Sequence, residues 1–161
     1  MKFFVLTLTL LFITKILTAE IIGNLEYQLP ERDWKIEFER KKHPTILYVS
    51  VDTSAENSKE SFYASYINFP GKALNELDSE LFLTCVLSFL EVKLNILETT
   101  SHSILYEWSA IQNNVEIEHG WAREFSTPKE SATLLYRTKN LSAVEQLRPI
   151  WIEAFKKAKL K

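Results

Sequence analysis

The sequence predicts an α+β domain in which an antiparallel β-sheet packs with a long central helix and a C-terminal helix. Three observations predict it. Apolar and polar residues alternate in short runs over residues 25–69 and again over 103–140. Between them, a stretch from Ala73 to about Asn95 holds no Gly or Pro and repeats apolar residues at helical spacing. The chain then closes on an amphipathic segment. Its 161 residues fit one compact domain, and 46% hydrophobic content excludes a disordered chain.

The first residues carry an address. Met1-Lys2 is a short basic start, Phe3 to Ile13 is an apolar run, and Thr14-Lys15-Ile16-Leu17-Thr18-Ala19 ends on a small residue, the pattern of a signal peptide. The run is shorter than the roughly 20 apolar residues that cross a bilayer, and Lys15 interrupts it. Cleavage after Ala19 is therefore expected, leaving residues 20–161 as a single α/β domain, periplasmic or secreted, with no stable membrane insertion. A shifted site or a retained anchor is the alternative, because Leu17 is bulkier than the residue usual at that position. The lone Cys85 has no partner for an internal disulfide and sits in the apolar run Leu81 to Leu87, where it reads as a small buried hydrophobe.

Leu25, Tyr27 and Leu29 alternate with Glu26 and Gln28 until Pro30 ends the run. Trp34, Ile36 and Phe38 then alternate with Lys35, Glu37 and Glu39, so both segments read as half-buried strands. A third strand is expected over Thr45 to Val51 and a fourth over Ser61 to Phe69, with the polar stretch Asp52 to Lys59 as a surface loop. On the central helix, Leu74, Leu77, Leu81, Cys85 and Ser88 mark one stripe, widened by Phe82, Val86, Phe89 and Leu90 until the helix should be nearly enclosed.

Residues 103–140 divide into a three-stranded meander, with breaks at Gln112 to Val115 and Thr127 to Glu130. Asn tolerates the positive φ of a two-residue type I′ turn, so Asn113-Asn114 would set Gln112 against Val115. That register puts Tyr106 opposite Trp121, Trp108 opposite His119 and Ala110 opposite Ile117. If Ser126 faces Ser131 in the second hairpin, Trp121 meets Tyr136, Arg123 meets Leu134, and Glu118 meets Lys139 on the other face. The last element begins near Ser142-Ala143-Val144-Glu145, an S-x-x-E capping box, and carries Val144, Leu147, Ile150, Trp151, Ala154, Phe155 and Ala158 on one stripe. Pro149 should kink or restart this helix, and Lys156, Lys157, Lys159 and Lys161 complement its C-terminal dipole.

Composition and motifs exclude several functions. With 19 basic against 21 acidic residues and no basic block of the kind nucleic-acid binders carry, a nucleic-acid partner is not expected. Only Gly23, Gly71 and Gly120 occur, so neither a P-loop nor a dinucleotide fingerprint can be written. G-x-S-x-G and H-E-x-x-H are absent, and Glu118 and His119 point to opposite faces of a strand, so no metal site and no cofactor are expected. The candidate binding cluster is Tyr106, Trp108, His119, Trp121, Arg123 and Tyr136, which the inferred register gathers on one face. Trp, Tyr and Arg dominate binding hot spots because they bury large area and keep a polar handle. The competing reading is that an amphipathic helix covers this face, making Trp108 and Trp121 core and leaving Arg123 and His119 at its edge with polar partners.

The order of elements resembles the Mog1/PsbP-like fold over about residues 24–160. Tyr27-Gln28-Leu29-Pro30 followed by Trp34 is similar to the opening strand and turn of such domains, and Leu147-Arg148-Pro149-Ile150-Trp151 to a matching terminal helix. The resemblance implies a non-catalytic accessory or partner-binding role and transfers no functional residue. The expected function is an exported, non-enzymatic module that binds a protein partner. The alternatives are a carrier of a small apolar or aromatic ligand, and a hydrolase with a dispersed site around His119.

Overall fold

A computed structural model of the chain describes residues 19–50, 60–68 and 91–161. The alternating runs become β1 (Ala19–Ile22), β2 (Leu25–Gln28), β3 (Trp34–Arg40), β4 (Thr45–Ser50) and β5 (Glu60–Ile67). They continue as β6 (Glu91–Thr99), β7 (Ser103–Gln112), β8 (Val115–Ser126) and β9 (Ser131–Thr138). A 3-10 turn at Leu141–Ala143 leads into helix α1 (Val144–Lys157), and β10 (Lys159–Leu160) ends the chain. Seven strands form one antiparallel sheet in the order β3-β4-β5-β9-β8-β7-β6, and β2 lies between β1 and β10 in a second, three-stranded sheet.

Of the expected signal peptide, 1–19, Ala19 opens β1 and residues 1–18 lie outside the described residues. So does most of the expected central helix; its last five positions, 91–95, belong instead to β6. Val92, Leu94 and Ile96 alternate there with Lys93 and Asn95, a period of two, and pair with Ala110, Trp108 and Tyr106 of β7. Among the described residues the architecture is thus mostly antiparallel sheet with one α-helix at the C-terminal end.

The meander forms as expected, with one correction. Asn113 and Asn114 take φ of 53° and 63° and set Gln112 against Val115. Three residues on, Ala110 pairs with Glu118 while Ile111 pairs with Glu116, so Ile117 is an extra residue in β8. This bulge moves every later pair by one: Tyr106 opposes Ala122, Trp108 opposes Gly120, and Glu107 opposes Trp121. The second hairpin keeps its expected register, with Trp121 against Tyr136 and Arg123 against Leu134. Lys139 Nζ reaches Glu118 Oε1 at 3.5 Å on the opposite face.

Two apolar clusters result. One holds Phe62, Leu105, Trp121, Leu134 and Tyr136 of the large sheet with Leu147, Trp151 and Phe155 of α1 and Leu25 and Tyr27 of β2. The other lies on the opposite face and holds Ile104, Tyr106, Trp108, Ala110, Ala122 and Leu135.

The start of α1 departs from expectation. Ser142 sits inside the 3-10 turn and donates to Asn140 Oδ1 at 2.8 Å, while the helix N-cap is Ala143 with no side-chain cap bond, so the capping box does not form. Pro149 neither ends nor restarts the helix, which runs on to Lys157. Leu147 on one side of it and Trp151, Ala154 and Phe155 on the other are buried, and that burial outweighs one missing backbone hydrogen bond. Ile150 is 45% exposed, because the stripe defined by Leu147 and Trp151 turns it outward.

The N-terminal hairpin is tied down at its turn. Gly23 has φ of +59°, and a Cβ there would lie 2.1 Å from the Tyr66 ring, so both conformation and space require glycine. Beside it Glu130 accepts from Tyr66 at 2.6 Å and from Asn24 at 2.8 Å. The Lys161 N–H donates to the Asn24 carbonyl, and Lys159 and Lys161 flank Glu26 rather than merely the helix end.

Gly120 gives the sharpest test of the bulged register. A Cβ on it would sit 2.1 Å from the Tyr136 carbonyl oxygen and 2.6 Å from the Trp108 ring. Gly120→Ala should therefore cost about 2–3 kcal/mol in denaturant unfolding. Under the unbulged register, Trp108 would face His119 and only the Tyr136 carbonyl would oppose the new methyl, so the cost would be smaller.

Candidate functional site

The structure does not bring the six candidate residues to one face. Trp121, Arg123 and Tyr136 point toward α1, with His119 at the margin of the same face; Tyr106 and Trp108 belong to the cluster on the opposite face. The bulge at Ile117 is the cause, since it reverses the phase of β8 against β7.

On the helix side the aromatics are stacked and enclosed. Trp121 stacks on Tyr136 with centroids 6.0 Å apart, and Tyr136 on Trp151 at 3.9 Å with 20° between the planes. Trp151 continues onto Phe62 at 5.5 Å and meets Trp34 edge-on at 6.2 Å. Trp121, Tyr136 and Trp151 have no exposed surface. The space that a ligand carrier would need against this face is filled by Trp151.

Arg123 is buried beneath the end of α1. Its Nη1 donates to the Phe155 carbonyl at 2.8 Å, and its Nη2 reaches Ser103 Oγ at 3.1 Å and Glu98 Oε1 at 3.3 Å. The Phe155 carbonyl belongs to the last helical turn and also accepts from the Ala158 N–H at 3.2 Å, so Arg123 takes its second lone pair. Burial pulls the guanidinium below its usual value and Glu98 opposes that shift. The expectation of a polar partner at the helix edge is met, by a backbone carbonyl first and a carboxylate second.

The accessible polar chemistry lies one step along the sheet. His119 packs edge-on against Trp121 at 5.0 Å, its Nδ1 lies 2.7 Å from Glu116 Oε1, and its Nε2 lies 3.0 Å from Glu107 Oε1. The other Glu107 oxygen accepts from Arg148 of α1 at 3.0 Å. Lys93, Asn95, Glu107, Ser109 and His119 line a shallow cleft of about 170 Å³. Glu107 and Arg148 are the participants that the sequence did not single out; Glu107 reaches this face because the bulge sets it opposite Trp121, which the regular alternation of β8 does not signal. No group of three or more His, Cys, Asp or Glu among the described residues could hold a metal ion.

The chain is similar in structure to a cyanobacterial PsbP (CyanoP) from Synechocystis sp. PCC 6803, with a TM-score of 0.66 and 10% identity over 90% of this chain and 92% of that one. It is also similar to a protein of unknown function from Pseudomonas aeruginosa, PA94, a putative regulator, with a TM-score of 0.49 and 11% identity over 88% of this chain and 94% of that one. No protein-family model matches the sequence, and no curated protein matches it. The fold is PsbP-like, as the order of elements implied.

Two outcomes follow from this geometry. Trp121→Ala combined with Arg123→Ala should unfold the domain at room temperature, since it opens a cavity and strips the partners from Phe155, Ser103 and Glu98; circular dichroism and thermal melting measure it. The tyrosines give the second. Burial pushes the Tyr27, Tyr48 and Tyr136 hydroxyls above the ordinary phenol value, and a hydrogen bond to Glu130 raises Tyr66. A pKa raised on folding adds stability that is complete below the unfolded value near 10 and is lost as pH rises beyond it. Phenolate absorbance should therefore show Tyr27 and Tyr136 still protonated at pH 10 and ionising only with loss of structure.

Proposed function

We propose that this protein is an exported, non-enzymatic module that binds a protein partner through the polar shelf formed by Lys93, Glu107, Glu116, His119 and Arg148. The observation that carries this reading is the mutual engagement of Glu107, Glu116, His119 and Arg148, with Lys93 at the rim of the same cleft. Both His119 nitrogens face carboxylates, and Glu107 is shared between His119 and Arg148. An imidazole held on both sides is poorly placed to take a proton from a substrate. A fixed array of charges beside a rigid tryptophan suits recognition instead, because little side-chain freedom is lost on binding. The PsbP-like fold supports the reading only by analogy, since fold alone does not determine function.

Export rests on the first nineteen residues. Cleavage after Ala19 would remove the first residue of β1 and keep Ile22, the residue that buries that strand. The exported protein should therefore have the intact mass of residues 20–161; a mass that includes Met1 to Ala19 would refute cleavage at that bond.

The binding test is native mass spectrometry and crosslinking of the tagged protein from its exported fraction. Lys93→Glu with Arg148→Glu should lose the protein captured by the wild type while keeping its far-ultraviolet spectrum. Arg148 and Lys93 reach solvent, so charge reversal there spares the aromatic core. Undiminished capture of the same protein by the folded double variant would refute the shelf as the binding site.

A further inference from the structure

Although the whole chain carries a formal net charge of −2, the turn between β3 and β4 reads Arg40-Lys41-Lys42-His43. All four are exposed, and none forms an ion pair within the described residues. Arg40 lies over the Phe38 ring, 5.8 Å from its centroid. Phe38 is 45% exposed and Ile67 43%. The register places them together: Phe38 opposes Leu47, Leu47 opposes Tyr63, and Ile67 follows four residues later on β5, so Phe38, Arg40 and Ile67 leave the same face at the same end of the sheet. The turn is pinned there by the Tyr66 N–H donating to the Pro44 carbonyl at 2.9 Å. A hollow of about 350 Å³ runs between His43, Pro44 and Ile67.

We propose that this end of the sheet docks on an anionic lipid bilayer. Its chemistry has two parts, and a bilayer surface complements both: phosphate-bearing headgroups meet Arg40, Lys41 and Lys42, and the apolar layer just beneath receives Phe38 and Ile67. A partner recognised through charge alone would leave the two apolar side chains without a role. Strand addition by an acidic peptide is disfavoured, because β3 is bulged between Ile36 and Phe38 and its edge carries Lys35, Glu37 and Glu39. No helix among the described residues is long and apolar enough to cross a membrane. This inference does not depend on the polar shelf, which lies on the other face of the sheet.

The test is co-sedimentation of the mature protein with vesicles of phosphatidylcholine alone, or of phosphatidylcholine with phosphatidylglycerol at about 30%. Binding should occur only to the anionic vesicles and should disappear when salt is raised about tenfold from a low starting concentration. Each of Lys41→Gln and Lys42→Gln should weaken it about fivefold. Phe38→Ser should weaken it by the same factor at each salt concentration where binding is measurable, which separates the apolar contribution from the ionic one. Equal binding to both vesicle types, or equal binding by the folded Lys41→Gln/Lys42→Gln variant, overturns the proposal. So does absence of vesicle binding together with salt-sensitive binding to soluble polyglutamate, which assigns the turn to an acidic polypeptide.

Discussion

The ring of Trp151 stacked 3.9 Å from that of Tyr136 sets where the helix can lie, and most of the described structure depends on that position. Tyr136 is on β9 beside Trp121 of β8, so the stack joins the helix to the middle of the seven-stranded sheet. Trp151 also touches Phe62 of β5 and Trp34 of β3. Truncating such an enclosed aromatic typically costs about 3–5 kcal/mol, a large share of a single domain's stability. Once the helix is seated, the remaining chain has one route. Phe155 brings its carbonyl to Arg123, and residues 159–160 reach the edge of β2, whose other edge receives β1. Both ends of the described domain are thereby closed onto the same core.

Charge is managed differently inside and outside that frame. Arg123 enters the interior only where three acceptors meet it, because an unpaired buried guanidinium would be far too costly. Glu118 is similarly buried and lies near Arg137 and Lys139. At the margin, His119, Glu107, Glu116 and Arg148 satisfy one another while still reaching solvent. The cations of the β3–β4 turn form no ion pair among the described residues. Unpaired like charges at one turn repel one another, and that cost is removed by an external anion.

Much of the fold was legible in the sequence because strands advertise themselves by period. Leu25/Tyr27, Trp34/Ile36 and the three runs of the meander all became strands, and Asn113-Asn114 supplied the turn that positive φ demands. The bulge was not legible. Nothing in Glu116-Ile117-Glu118 distinguishes an inserted residue from a regular alternation, yet that residue exchanges faces for all of β8 relative to β7. Tyr106 and Trp108 consequently left the candidate cluster, and Glu107 entered it. Gly120 was the available hint, since a glycine in a strand marks a place where another group approaches closely, here the Trp108 ring. The helical cap failed for a related reason. Ser142 and Glu145 have the right spacing, but the 3-10 turn uses the Ser142 hydroxyl locally. Pro149 illustrates the reverse case, in which tertiary burial of Leu147 and Trp151 overrides a strong local signal.

A PsbP-like fold shared at 10% identity conserves the path of the chain and leaves the surface free to differ, so function has to be sought in what this chain places on that path. The two surfaces singled out above sit far apart in the topology. The polar shelf lies on β6, β7 and β8, toward the end of the sheet where β6 begins and on the face covered by α1. The cationic turn lies at the opposite edge, where β3 ends, and its apolar neighbours leave the other face. They are therefore diagonal across a rigid seven-stranded sheet. An exported module seated on a lipid surface by Arg40, Lys41, Lys42 and Phe38 would hold its shelf away from that surface, open to a protein in the surrounding solution. The diagonal arrangement would make two such binding events geometrically independent, with occupation of one surface leaving the other accessible.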